Sequence, residues 1–384
     1  MVNLIPKPTQ DSPDDLAWLT GWRSRSLHSE AITLPAEMYY SPYAYELEQT
    51  HIFGKYWYYV GHISQLAGAG SYFTVEIAQQ PLVIVQNKVG ELRAFYNICT
   101  HRAGPVALGS GKCQRLTCLY HAWSFDLEGN LRGMPDMEAA EGFDGAAHAL
   151  TPVQVDRWGP FIFVNLDPTG EPLLVQLGEL PEMFQRYQFD RWARVHSVDY
   201  WTDTNWKLYV ENNAENYHEP TVHPSLIKYY NHITAEARYH YYLQKTPLGH
   251  APGDQRFLDD PDLYIPGLTP EEMANISTMS FFPNFAWIVS PGWAIIYLID
   301  PQGPVKTRVR WDWLVPDTEA AKSPDNLNPL IEYLDTIQQE DLKLLPEVQK
   351  RIQSMGYKPG RLSPTREMGT HLFQELIMNA ITSA

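Results

Sequence analysis

The chain has 384 residues, 44% of them hydrophobic, with 29 Lys+Arg against 45 Asp+Glu and a formal net charge of -16. That acidic balance excludes a binder that tracks nucleic-acid phosphates with a basic face, and a polybasic membrane-surface protein. Three cysteines, Cys99, Cys113 and Cys118, are too few for a disulfide framework and suit a reducing compartment.

The opening stretch, MVNLIPKPTQDSPDDLAWL, has no basic region leading into an apolar one, so no secretory signal is expected. Its early acidic residues also disfavour an organelle transit peptide. Residues 1–41 are polar and proline-punctuated, and read as an arm that packs on the C-terminal domain. From Tyr56 to Asn165 short β-rich runs follow one another between turns: YWYYVGHI, SYFTVEI, PLVIVQN, ELRAFYNI and GPFIFVNL. Such even spacing predicts a small antiparallel barrel or sandwich.

Residues 159–384 mix helices and strands. FAWIVS-PG-WAIIYLID predicts a hairpin around Pro291-Gly292. In VKTRVRWDWLV, Val305, Thr307, Val309, Trp311, Trp313 and Val315 share one face, as a half-buried strand requires. The apolar stretch Phe281–Ile299 is interrupted by Pro283, Asn284, Ser290, Pro291 and Gly292, so no run reaches the roughly 20 residues of a spanning helix. From Leu327 to Ile352 the period becomes helical. The fold class is α+β, an all-β module followed by a larger mixed domain, and a cytoplasmic location is expected.

Two cysteines and two histidines stand out as Cys99-Thr-His101 and Cys118-Leu-Tyr-His121. Two thiolates and two imidazoles on β-framed loops suit a tetrahedral zinc. They equally suit a [2Fe–2S] cluster in which histidines replace cysteines on one iron. The segments CTHRAG and CLYHAWSFDLEGNL, after the strand AFYN, resemble the Rieske iron–sulfur domain, and the resemblance covers roughly residues 42–158. By that resemblance Cys99 and Cys118 bind one iron of the cluster, and His101 and His121 the other. Cys113 matches no motif position and reads as a packed free thiol. Leu119 stands where the family commonly has proline, and is expected to loosen that loop without removing a ligand.

NWKLYVENNAENYHEPTVHP, residues 205–224, taken as a helix groups Glu211, Glu215 and His218 in one narrow sector. Pro220 then ends the helix and His223 follows. Two imidazoles without thiolates suit a non-haem Fe(II) site if a carboxylate completes a facial triad; the alternative is a solvated polar helix with incidental histidines. The helix LNPLIEYLDTIQQEDLKLLPEVQ carries an apolar stripe through Leu330, Leu334, Ile337, Leu344, Leu345 and Val348, with Asp341 near its centre and Glu340 about 100° off it. A buried, unpaired carboxylate costs several kcal/mol. Asp341 therefore requires a partner, either a metal or a hydrogen-bonding group, and Pro346 is expected to kink the helix and aim it.

With His218, His223 and Asp341 as a 2-His-1-carboxylate set, the C-terminal half resembles the catalytic domain of the Rieske non-haem iron oxygenases, the ring-hydroxylating α subunits. Together with the cysteine–histidine motif, the resemblance covers the chain from about residue 40 onward. It implies a helix-grip catalytic domain, a [2Fe–2S] cluster, a mononuclear non-haem Fe(II), O2 as cosubstrate, and a head-to-tail homotrimer. It also implies that Glu215, where the family commonly has Asp, links His218 to a neighbouring subunit's cluster histidine, His121. Glu at this position resembles the branch acting on choline, glycine betaine and carnitine. Asn212 and Glu211 are further candidates for groups supporting the iron site, against a plain helix-surface role.

The glycine runs GAG (68–70) and GSGK (109–112) lack dinucleotide and P-loop spacing. The resemblance implies electrons drawn from NAD(P)H, and with no nucleotide motif read in this chain they are expected through a separate reductase or ferredoxin. Tyr229, Tyr230, Tyr239, Tyr241, Tyr242, Phe281, Phe282, Phe285, Trp287 and Trp293 offer either a cation–π cage or a flat slot for an aromatic ring, or serve as strand core. The competing functional readings are a zinc-stabilised helix-grip ligand-binding module and a pure electron carrier.

Overall fold

The computed structural model describes Trp22 and residues 28–249 and 259–382; most of the arm, residues 1–21 and 23–27, lies outside the described residues. The chain divides into two compact units, one of residues 49–185 and one joining residues 1–48 to 186–384.

The 49–185 unit is built on an antiparallel sheet whose strands are β1 (Tyr58–His62), β2 (Ser71–Ile77), β3 (Gln80–Gln86), β4 (Leu92–Tyr96), β5 (Ser110–Lys112), β9 (Pro152–Trp158) and β10 (Phe161–Asn165). They lie in the order β1-β10-β9-β4-β3-β2-β5, and β6 (Leu116–Thr117), β7 (Ser124–Phe125) and β8 (Leu131–Gly133) form a second, small sheet. Val83, Val85, Phe95, Trp123 and Phe125 form one core with Cys99 and Cys118, and Cys113 packs against its edge. Burial of the β-branched and aromatic side chains thus fixes the two cysteines from beneath.

The boundary read at residues 158/159 falls instead at 185/186. The reason is β10, whose five buried residues pair with β1 on one side and β9 on the other. The boundary read at 41/42 also moves, because α1 (Pro42–Glu48) belongs with the other unit. There Glu48 is fully buried in an ion pair with Lys207 and accepts from Trp206 Nε1 at 2.7 Å.

The second unit holds a seven-stranded antiparallel sheet in the order β11-β17-β16-β15-β14-β13-β12. Its strands are β11 (Trp192–Thr202), β12 (Thr234–Arg238), β13 (Tyr241–Pro247), β14 (Asn275–Phe281), β15 (Phe285–Val289), β16 (Ala294–Gly303) and β17 (Lys306–Pro316). The β15–β16 hairpin closes at Val289↔Ala294, with Ser290 Oγ accepting from the Gly292 and Trp293 amides. In β17 the alternation holds for Thr307, Val309, Trp311 and Trp313, all buried. Two positions differ: Val305 precedes the strand and is exposed, and Asp312 is buried on the opposite face because Arg194 reaches it at 2.9 Å.

Helix α2 (Trp206–Asn213) packs on β14 and β16, α4 (Pro324–Ile352) on β11, and α5 (Met368–Thr382) on β12 and β13. Sheet and helices together give an antiparallel sheet covered by helices, the α+β arrangement expected of the C-terminal half. Helix α4 runs on through Pro346 without interruption. Its buried stripe is Leu327, Leu330, Leu334, Gln338, Leu345, Gln349 and Ile352, so Gln338 and Gln349 are buried beside the expected Ile337 and Val348, which are half-buried, and Leu344 is exposed. The glutamines are buried because each is used: Gln338 accepts from Tyr209 OH, and Gln349 bridges the Asn205 amide and the Tyr39 carbonyl. No helix among the described residues is long and apolar enough to cross a membrane.

Candidate metal centres and active-site cavity

The loops bearing Cys99 and Cys118 repeat one hydrogen-bond pattern. Cys99 N–H donates to Gly104 O at 2.8 Å and Cys99 O accepts from Ala103 N at 3.0 Å; Cys118 N–H donates to Trp123 O at 2.8 Å and Cys118 O accepts from Ala122 N at 3.1 Å. Ala103 and Ala122 both take left-handed backbone, with φ of 56° and 58°. Such strain in non-glycine residues persists only where the surroundings impose it. Gly104 is needed for a different reason, since a Cβ there would sit 2.7 Å from Cys118 Sγ.

The two thiols lie side by side. Burial pushes the Cys99 thiol up, and adjacent Cys118 pushes it the same way. The two imidazoles also adjoin, with His101 and His121 centroids 4.8 Å apart, and Trp123 stacks on His101 at 4.7 Å. His121 Nδ1 is buried without a hydrogen-bond partner. Paired thiols beside paired imidazoles, with an orphaned ring nitrogen, fit a cluster held by sulfur at one end and nitrogen at the other. Leu119 is tied in by its N–H, which donates to Pro105 O at 3.0 Å. Proline could not make this bond, so the loosening expected from that departure is corrected to an added constraint.

In the second unit the expected 205–224 helix is broken. Helix α2 ends at Asn213 with Ala214 as its cap, a bend carries Glu215 to Tyr217, and α3 (Glu219–Val222) begins just after His218. Pro220 opens this short helix instead of closing a long one, a place where its missing N–H costs nothing. Glu211 therefore does not share a face with His218. It is buried elsewhere, accepting from Tyr39 OH at 2.8 Å and Gln374 Nε2 at 3.0 Å. Burial pushes its carboxyl up to about 7, against those two hydrogen bonds.

His218, His223 and Asp341 converge, with one ligand-capable atom from each lying within 4.8 Å of the others. Asp341 Oδ1 is 3.2 Å from His223 Nε2 and 3.7 Å from His218 Nε2, and is buried without a hydrogen-bond partner. Each imidazole spends its other nitrogen on a carboxylate. Glu215 Oε1 holds His218 Nδ1, while Glu215 Oε2 accepts from the Tyr217 and His218 amides. Glu340 Oε2 sits 2.7 Å from His223 Nδ1. Carboxylates on Nδ1 leave both Nε2 lone pairs for a cation, and this donor set fits a divalent iron. Burial would lower the His218 imidazole, but Glu215, then Asp341 and Glu219, overcome it and raise it to about 9.

Glu340 was placed off the working face by the helical wheel. It belongs to the site because His223 comes to α4 from the side, beyond the reach of a one-helix argument. An acidic pair, Glu340-Asp341, ahead of an apolar turn was the available signal.

The three residues border a cavity of about 110 Å³. Glu219, Asn212, Gln244, Thr246 and Thr278 also line it, with Tyr209, Tyr229, Tyr297 and Trp311 as its aromatic surface. Tyr297 and Trp311 stack at 4.8 Å and 13°. Of the aromatics singled out by sequence, Tyr229 reaches the cavity, whereas Tyr241, Tyr242, Phe281, Phe282, Phe285, Trp287 and Trp293 are buried core and Tyr239 is exposed. Tyr230 lies under the Arg366 guanidinium at 3.9 Å. Tyr209, Tyr297 and Trp311 were missed; Trp311 alone had a signal, its place on the inward face of β17.

Residues 189–383 match the family described as ring hydroxylating alpha subunit (catalytic domain), and residues 56–151 match the Rieske [2Fe-2S] domain. The chain is 30% identical over 381 residues to the glycine betaine monooxygenase oxygenase subunit of Chromohalobacter salexigens, covering 88% of this chain and 83% of that one. It is 31% identical over 349 residues to the carnitine monooxygenase oxygenase subunit of Escherichia coli K12, covering 86% of each. It is 27% identical to the choline monooxygenase, chloroplastic, of Spinacia oleracea, covering 90% of this chain and 77% of that one. Among solved structures, the quaternary ammonium Rieske monooxygenase CntA in complex with L-carnitine matches with a TM-score of 0.79 and 25% identity, over 97% of this chain and 99% of that one. Naphthalene 1,2-dioxygenase shares the fold, with a TM-score of 0.74 at 15% identity over 93% of this chain and 95% of that one.

Proposed function

The chain belongs to the ring-hydroxylating α subunits of the Rieske non-haem iron oxygenases, and from that membership we propose that it oxidises a quaternary ammonium compound. As in that family, it is a terminal oxygenase that takes electrons from a separate reductase or electron-transfer partner and acts on a small molecule. A zinc-stabilised binding module is not favoured, since the relatives are oxygenases. The bound centres supply electron delivery and dioxygen activation. The overall change inserts one oxygen atom into a substrate C–H bond and releases the other as water, consuming two electrons from the reductase and two protons. A carbon hydroxylated next to nitrogen leads on to loss of that group.

In this proposal Cys99, His101, Cys118 and His121 hold the [2Fe–2S] cluster, and His218, His223 and Asp341 the mononuclear iron. Glu215 and Glu340 fix which ring nitrogen of each histidine faces the metal. Glu215 also serves as the link to His121 of a neighbouring subunit in a homotrimer, and Asn212 orders the cavity wall beside it. The aromatic surface of Tyr209, Tyr297 and Trp311 packs against the methyl groups of a cation. A cytoplasmic location accompanies this reading.

The observation that carries the proposal is the convergence of His218, His223 and Asp341 beside an aromatic-lined cavity. Asp341→Ala is expected to lose mononuclear iron while the visible spectrum of the cluster persists; unchanged iron content would refute the triad. Trimethylammonium compounds and aromatic acids, offered with reductase, NADH and O2, decide the substrate class. Turnover of the aromatic acids alone would overturn it.

A further inference from the structure

The cavity contains a carboxylate that the iron site does not use. Glu215 and Asp341 face the two imidazoles, but Glu219, on the first turn of α3, lines the cavity without contacting a ring nitrogen of either histidine in the hydrogen-bond network. Its donor is a neutral amide, Gln244 Nε2 at 3.3 Å. That amide cannot turn away. Its Oε1 accepts from Asn216 Nδ2 at 3.2 Å and Tyr242 OH at 3.0 Å, and its Nε2 also donates to Thr246 Oγ1 at 3.3 Å. Gln244 therefore holds the Glu219 carboxylate at the cavity wall, and no Lys or Arg occurs among the described lining residues. A carboxylate in a partly dehydrated, aromatic-lined cavity is stabilised by a cation, and a large, weakly hydrated one suits the stacked Tyr297 and Trp311 faces. The remaining neutral polar lining, Asn212, Asn213, Thr246, Thr278 and Gln338, offers hydroxyl and amide groups that suit an alcohol or an ester, and it supplies no cation for a second carboxylate.

We propose that Glu219 is the anionic anchor for the substrate's ammonium group, and that the preferred substrate is a net cation, a trimethylammonium alcohol or its neutral derivative, and not a zwitterion carrying its own carboxylate. This rests on the quaternary ammonium reading and narrows it. Apart from the two imidazoles committed to the metal, the charged side chains of the cavity, Glu215, Glu219 and Asp341, are all acidic, and its described lining offers no Lys or Arg to partner a substrate carboxylate.

The holoenzyme with its reductase is assayed on choline, glycine betaine, carnitine and 3,3-dimethyl-1-butanol, the uncharged isostere of choline. The expected kcat/KM for choline exceeds that for either zwitterion by at least tenfold. In Glu219→Gln the preference for choline over its uncharged isostere falls by at least tenfold. Calorimetric binding of tetramethylammonium weakens by a similar factor. A preference for carnitine or glycine betaine would overturn the inference and leave the quaternary ammonium reading standing. Failure to oxidise any trimethylammonium compound would overturn that reading itself. An unchanged choline-to-isostere ratio in Glu219→Gln would remove Glu219 as the anchor, and the wild-type ratios test the substrate class even if the variant fails to fold.

Discussion

In the unit of residues 49–185, the four proposed cluster ligands arrive on two short loops that share the same hydrogen bonds and the same left-handed alanine. In the other unit, the proposed iron ligands arrive on a broken helix and on α4, elements distant in sequence, and each imidazole is steered by its own carboxylate. The first site is made rigid by backbone and close packing. The second is made by side chains steering side chains. The two should therefore fail differently, the first abruptly when space is taken away and the second by degrees when charge is removed.

The abrupt failure is tested at Gly104. A methyl group there would meet Cys118 Sγ at 2.7 Å and Tyr120 Cβ at 2.9 Å, and the backbone of neither loop is free to move. Gly104→Ala is expected to abolish cluster assembly, read as loss of the visible spectrum and acid-labile sulfide, while iron binding to the other unit survives. A variant that assembles a normal cluster would show that the loops are more compliant than the hydrogen bonds imply.

The contrast also explains what the sequence made legible. The cluster loops were readable because CTHRAG and CLYHAW each carry their ligands and their turn within a few residues, so local pattern and tertiary result coincide. His218, His223 and Asp341 were readable because two of them lie in one segment and the third is a charge in an apolar stripe. The long-range partners were not. Glu340 looked solvent-facing, and Glu211 looked like a site residue, because a helical wheel assumes one unbroken helix and knows nothing of what packs on it. Ala214 ended that helix, and Tyr39 and Gln374, from opposite ends of the chain, claimed Glu211. The same blindness set α1 with the wrong unit, since its place is revealed by long-range contacts such as those of buried Glu48 with Lys207 and Trp206.

Graded failure is expected at Glu340. Glu340→Gln keeps an acceptor for His223 Nδ1 but removes the charge that orders the ring, and such changes outside the ligand set cost roughly 10–100-fold in metal affinity. Iron retained during a chelator challenge should decrease from wild type to Glu340→Gln to Glu340→Ala, with the cluster spectrum constant. If Gln and Ala behave alike, the hydrogen bond contributes nothing and the steering argument fails. If both match wild type, His223 is oriented by packing, and the second site is built more like the first.

The smallest expected effect concerns Glu211, which takes part in neither site but anchors the helix leading into one of them. Burial raises its carboxyl from the ordinary 4.5 to about 7, so folding favours the protonated form. The cost of ionising it in the folded state is absent below about pH 4.5, grows as pH rises, and is complete above about pH 7. Gln at this position never ionises and still accepts from Tyr39 OH and Gln374 Nε2. Glu211→Gln should therefore raise the thermal midpoint of the catalytic unit at pH 8, by roughly 2–4 °C for each kcal/mol relieved, and by less at pH 5.5. The midpoint of the 49–185 unit should not move. A gain of the same size at both pH values would mean that the substitution acts through packing and not by removing a charge strained by burial.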